Sequence, residues 1–204
     1  QMVAVTVRAG SKAEMALPDG TFVHLNAATN LEYDVNNSKQ RLVKLSGEAF
    51  FDVAKNPDCP FKVIINDLQI EVVGTSFNVK TYKKDIVETS LLSGRIRISG
   101  GSLPHEYTLS PGQKATYSAM DRTLRISKAD AHVEAGWRDN YLIFESTPLI
   151  DVIAQIERWY GVEIRLHHKQ IAQDLLSGSF RNESIQNVIR SLSIQYGFKY
   201  EIHK

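Results

Sequence analysis

The sequence predicts a mainly β amino-terminal domain, a twisted sandwich or solenoid-like stack, followed by a small α+β domain of duplicated βαβ units. Three observations carry this. From residue 3 to about 130, short runs of Val, Ile, Thr and aromatics are punctuated by turn signals, as in all-β domains. No sustained 3.6-residue period occurs in that stretch, which argues against an α/β nucleotide-binding fold. Beyond it the chain repeats itself: "YGVEIRLH" at 160–167 returns as "YGFKYEIH" at 196–203.

Element by element, "MALPDGTFVHLNA" reads as a hairpin, because Pro18 presets φ and Gly20 accepts a positive φ on either side of Asp19. "FKVIINDLQIEVV" reads the same way, with Asn66 and Asp67 at the bend. In "LLSGRIRIS" the period of two puts Ile96 and Ile98 on one face of a strand and Arg95 and Arg97 on the solvated other. At "AHVEAGWRDNY" the pattern changes, and Trp137 reads as a plug between two domains spanning 1–134 and 135–204. The stretch 149–160, "LIDVIAQIERWY", places Leu149, Val152, Ile153, Ile156 and Tyr160 on one helical stripe, with Pro148 at the first helical position and Gly161 as the stop.

The repeat has an offset of 36 residues: Leu149 matches Ile185, Val152 matches Val188, Ile156 matches Leu192, Gly161 matches Gly197 and Phe144 matches Phe180. Each copy reads as strand, helix, glycine stop, strand. One copy cannot bury both its helix stripe and its strand face, whereas two can cover each other. Ile194 replaces Arg158 on the polar side of the second helix, which suggests a contact on that side. The last strand, with Phe198, Tyr200 and Ile202, is a candidate edge for a partner's strand, and Trp159 is read as half-buried packing or as an interface anchor.

Composition bounds the function. Of 204 residues 43% are apolar, enough for a proper core, and a net charge of +1 gives no footprint for nucleic acid. A single cysteine, Cys59, excludes an intramolecular disulfide. Chemistry is hard to find. Glu48 and Asp52 share a strand face but would lie about 13 Å apart, beyond the roughly 5 to 9.5 Å of a glycosidase pair. His167 and His168 point to opposite faces, while His24, His105, His132 and His203 are isolated. No Walker loop, GxGxxG or GxSxG occurs. The reading is therefore of a protein that is not an enzyme and needs no cofactor or metal.

Several segments in order, "LPDGTFVHLNAATNLEYD" at 17–34, "RLVKLSGEAFFDVAKNPDCPFKV" at 41–63, "VVGTSFNVKTY" at 72–82, "TSLLSGRIRIS" at 89–99 and "LSPGQKATY" at 109–117, carry a resemblance. They resemble the periplasmic region of FecR-like anti-sigma factors of the Bacteroidetes type. The following "GWRDNYLIFESTPLIDVIAQIERWYGVEI" is similar to a secretin/TonB short amino-terminal-like domain. Asn140 stands where the pattern expects glycine, and asparagine tolerates the same left-handed turn.

The resemblance implies a relay across the periplasm. The periplasmic signalling domain of an outer-membrane TonB-dependent transporter would engage this region, and the change would control an extracytoplasmic-function sigma factor through a cytoplasmic segment and one inner-membrane helix that this chain lacks. Gly20, Gly47, Glu48, Phe61, Gly74, Thr75, Phe77, Asn78, Gly94, Pro111 and Gly112 belong to its motifs and read as fold-making. They do not locate the partner surface, for which the candidates are Phe198, Tyr200, Ile202, Trp159 and Ile194. The alternative is a periplasmic module that binds a glycan or iron chelate directly.

Overall fold

The computed structural model describes residues 2–34 and 41–202. The first part of the chain is a run of short strands: β1 (Met2–Val7), β2 (Ala13–Ala16), β3 (Phe22–Leu25), β4 (Thr29–Asp34), β5 (Arg41–Ser46), β6 (Glu48–Asp52) and β7 (Phe61–Ile65). It continues through β8 (Leu68–Val72), β9 (Ser76–Lys80), β10 (Ile86–Ser93), β11 (Ile96–Gly100), β12 (Tyr107–Leu109), β13 (Gln113–Ser118) and β14 (Thr123–Lys128). Two seven-stranded sheets result, ordered β1-β4-β5-β7-β8-β11-β12 and β14-β13-β10-β9-β6-β3-β2.

Alternation decides which side of each strand is buried. Val63, Ile65, Leu68 and Ile70 of the first sheet and Ala49, Phe51, Phe77 and Val79 of the second share one core. Phe51 stacks on Phe77 with centroids 5.2 Å apart and meets Phe61 across the core at 5.8 Å, so aromatic contacts join the two sheets. Of the two alternatives the sequence left open, this is the sandwich. The hairpins lie where the turn residues put them: Gly20 has φ of 85° between β2 and β3, and Asn66 has φ of 54° between β7 and β8. Ile96 and Ile98 are buried while Arg95 and Arg97 are exposed. At Gly47 (φ 114°) a side chain would overlap Thr29, which explains glycine between β5 and β6.

The second part begins with α1 (Ala131–Ala135), capped by the Asp130 side chain, and a 3-10 turn over Gly136–Asp139 that ends on Asn140 in the left-handed conformation. There follow β15 (Tyr141–Pro148), α2 (Leu149–Tyr160), β16 (Leu175–Arg181) and α3 (Ile185–Tyr196). Strands β15 and β16 pair antiparallel. Both helices pack on this pair through Val152, Ile153, Ile156, Val188 and Leu192, and each ends on a left-handed glycine, Gly161 or Gly197. The 36-residue offset is thus kept from strand to helix stop.

Three expectations are corrected. No strand forms at 162–167 or at 198–202, so each copy is a strand followed by a helix and not a βαβ unit. The backbone after each helix is tied to that helix instead: Ile164 N–H donates to the Glu157 carboxylate at 2.7 Å, and the Ser193 hydroxyl donates to the Phe198 carbonyl at 2.5 Å. Pro148 is not the first helical residue. It closes β15 opposite Leu175 and caps α2 with an extended ψ of 138°. Ile194 is 75% exposed, so the described residues leave that side of α3 uncovered. His203 lies outside the described residues.

Candidate functional site

The outward face of the second sheet is where the two parts of the chain meet. Because Ala49, Phe51, Phe77 and Val79 point inward, their neighbours Glu48, Phe50, Asn78 and Lys80 must point outward. Strand pairing sets Glu48 opposite Lys80 and Phe50 opposite Asn78. This face is covered by the 3-10 turn: Trp137 packs with Phe50 and Ala135, and Leu92 and Trp159 close around them.

A buried polar chain runs through the contact. The Asn26 amide donates to Glu48 Oε2 at 2.8 Å and the Asn78 amide to Oε1 at 2.9 Å. Asn78 Oδ1 in turn accepts from Trp137 Nε1 at 3.0 Å, and Asn26 Oδ1 from the Ala27 N–H at 2.8 Å. Each asparagine amide is therefore held at both ends. Burial pushes the Glu48 carboxyl above the usual carboxylate range, while Lys80, the two amides and Arg158 pull it back down. Every buried side-chain polar atom among the described residues has a partner, as a buried network requires.

A second set of contacts closes the rim. Lys12, from the segment between β1 and β2, donates to the Trp137 carbonyl at 2.7 Å and to Asn140 Oδ1 at 3.0 Å, and its ammonium lies 3.7 Å from the centre of the Trp159 ring. Burial lowers its pKa to about 8 against the upward pull of Glu48. The Gly10 N–H donates to the Arg158 carbonyl at 2.8 Å, and Arg158 lies over the Tyr82 ring at 4.0 Å. Burial raises the Tyr82 hydroxyl, as does Glu48, and that hydroxyl donates to the Ala27 carbonyl. Across the sheet, Lys114 sits 3.0 Å from Glu88 and 2.9 Å from Glu134 of α1. Burial opposes the charge on Glu88, but Lys80 and Lys114 outweigh it and hold the carboxyl below its ordinary range.

The structure brings some of the sequence candidates together and separates others. Glu48 and Asn78 meet at the junction, and Thr75 bonds the Arg95 carbonyl at 3.1 Å beside Gly94. Phe61 and Phe77 are core, and Gly20, Gly74, Pro111 and Gly112 lie in the loops between strands. Trp159 belongs to the junction, wedged between the two parts. Phe198 packs on the core of the second part, whereas Tyr200 and Ile202 are 41% and 55% exposed. Lys12 was not singled out from sequence, where nothing local distinguishes it; Tyr82 stood there only within the motif at 72–82, and Arg158 only as the polar counterpart of Ile194. Glu48 and Asp52 do share a face; both oxygens of Glu48 accept from amides, and Asp52 Oδ1 accepts from the Ser76 hydroxyl at 2.8 Å. Among the described residues no group of three or more His, Cys, Asp or Glu side chains could hold a metal ion, and no helix is long and apolar enough to cross a membrane.

Comparisons with known proteins match two stretches of the chain to family models. Residues 3–97 match the family described as FecR protein, and residues 141–204 match that described as FecR, C-terminal. A crystal structure of a candidate anti-sigma factor from Parabacteroides distasonis ATCC 8503, at 2.50 Å resolution, superimposes with a TM-score of 0.90 at 30% identity, covering 100% of this chain and 96% of that one. A second, at 1.65 Å resolution and from the same organism, gives 0.89 at 30% identity over 99% and 95%. No curated protein matches.

Proposed function

The chain belongs to the FecR family of anti-sigma factors, and from that premise we propose that it is the periplasmic signal-relay region of a transmembrane anti-sigma factor. It receives a signal from the periplasmic signalling domain of an outer-membrane TonB-dependent transporter. Through a membrane helix and a cytoplasmic segment beyond this chain, it controls an extracytoplasmic-function sigma factor. The observation that carries the reading is the likeness, over this whole chain, to a candidate anti-sigma factor, and the junction supports it physically. A buried hydrogen-bonded contact between the sandwich and the second part has the bonding to transmit a displacement from one to the other. We assign residues 1–134 to the family's β domain and 135–204 to the partner-binding domain, where the exposed Ile194, Tyr200 and Ile202 lie.

Calorimetric titration of the chain with the isolated signalling domain of the transporter encoded beside it tests this. Saturable one-to-one binding is expected. Absence of binding between two folded proteins would turn the reading toward direct sensing of a glycan or chelate, which a thermal-shift screen would then reveal as a raised melting temperature.

A further inference from the structure

The two-stranded sheet of the second part has two edges, and they are finished differently. On β15, the Gln155 amide covers the Ile143 carbonyl at 3.3 Å, and the pairing shifts between Phe144 and Thr147, where Ser146 adopts φ of 43°. Side-chain cover and a bulge are ways of closing an edge. Strand β16 pairs only with β15 among the described residues, and from Leu175 to Phe180 it carries no charged side chain and no proline.

One group stands at that edge and covers it at a single residue. The Tyr196 hydroxyl accepts from the Ser177 N–H at 2.6 Å and donates to the Ser177 carbonyl at 3.1 Å, with the Gln195 amide donating to it at 3.2 Å. A single residue's N–H and C=O are thus satisfied by one hydroxyl that is both donor and acceptor, the two bonds a residue of a neighbouring strand would supply. Because N–H and C=O groups alternate sides along a strand, Leu175 and Ser179 present theirs on the same side as Ser177. Leu175 is 59% exposed beside them, and Ser177 and Ser179 add only small side chains. A row of backbone donors and acceptors is matched by one kind of occupant, an extended peptide segment.

We propose that the outer edge of β16 is a strand-addition site for an extended segment of the partner protein, with the Tyr196 hydroxyl holding the place of the incoming strand at Ser177 until it is displaced. This rests on the relay reading, and it moves strand addition from residues 198–202, which form no strand, to β16.

The test titrates the transporter's signalling domain against the wild-type chain, Ser179→Pro and Tyr196→Phe, and follows amide exchange across 175–181 with and without that domain. Ser179→Pro removes an outward N–H while sparing the ladder to β15, so affinity should fall about tenfold or more. Tyr196→Phe removes the group to be displaced, so affinity should rise several-fold, a gain that general damage to the fold would not produce. Amides of β16 should become protected in the complex. Undiminished binding by Ser179→Pro, no gain with Tyr196→Phe, or protection confined to other segments would overturn the assignment of this edge. No binding by the wild-type chain would overturn the relay reading and this inference together.

Discussion

Replacing Trp137 by phenylalanine separates the junction's hydrogen-bonded chain from its apolar contact. The substitution keeps an aromatic ring against Phe50 and Ala135 but deletes the Nε1–H that Asn78 Oδ1 accepts at 3.0 Å. Asn78 cannot turn its amide to compensate, because its NH2 group is the donor to Glu48 Oε1 and turning would set an oxygen against a carboxylate. A buried acceptor left without a donor costs about 1–3 kcal/mol. The smaller ring buries less area, which adds about 1 kcal/mol, so a loss of about 2–4 kcal/mol is expected. Against a typical stability of about 5–15 kcal/mol this is readily measured. Urea denaturation followed by circular dichroism, with Trp159 as the remaining tryptophan reporter, gives the value. A double-mutant cycle with Asn78→Ala should show a coupling of about 1 kcal/mol or more. A loss under about 0.5 kcal/mol, or no coupling, would refute the claim that Trp137 is held by the buried polar chain and not by its ring alone.

Two further outcomes follow from the rim of the junction. Gly10→Ala would place a Cβ 3.2 Å from the Tyr160 carbonyl oxygen and 3.3 Å from the Gly161 Cα, at a φ of 77°; it should cost more than the roughly 1–2 kcal/mol of the left-handed conformation alone, and more than Gly112→Ala, which has a similar φ of 80° with nothing within 4 Å. Equal losses in thermal unfolding would mean that the approach at Gly10 has slack. Lys12 titrates near 8 in the folded chain against 10.5 when free, so the unfolded chain binds the extra proton between those values and this group's contribution makes stability rise with pH across that window. Lys12→Met should flatten the rise, seen as a smaller change in urea midpoint between pH 7.5 and 10.5; an unchanged slope would show that Lys12 does not titrate there.

How much was legible depends on how far apart the interacting residues lie. The Asn66 bend, the Ile96/Ile98 alternation and the helix over 149–160 with its stop at Gly161 were readable because each rests on backbone conformation and side-chain period within a few residues. Of the strands expected at 162–167 and 198–203, the described residues form neither, although "EIRLH" and "KYEIH" have the composition. A strand exists only when another chain segment completes its ladder; here Glu157 takes the Ile164 N–H and Ser193 the Phe198 carbonyl from the preceding helix instead. Glu48 shows the same limit: its motif marked it as fold-making, but nothing in "GEAFFDV" shows that two asparagines and a tryptophan fix its surroundings.

By itself the sequence determined the β-rich class, the internal repeat and the family, because turn chemistry, periodicity and ordered motifs are properties of the chain read along its length. Tertiary structure alone decided that Lys12 clasps Trp137 across 125 residues, that Trp159 faces the sandwich, and that the Tyr196 hydroxyl bonds both backbone groups of Ser177 on β16. These depend on which surfaces come together in space, and burial, charge and hydrogen-bond partners are settled only there.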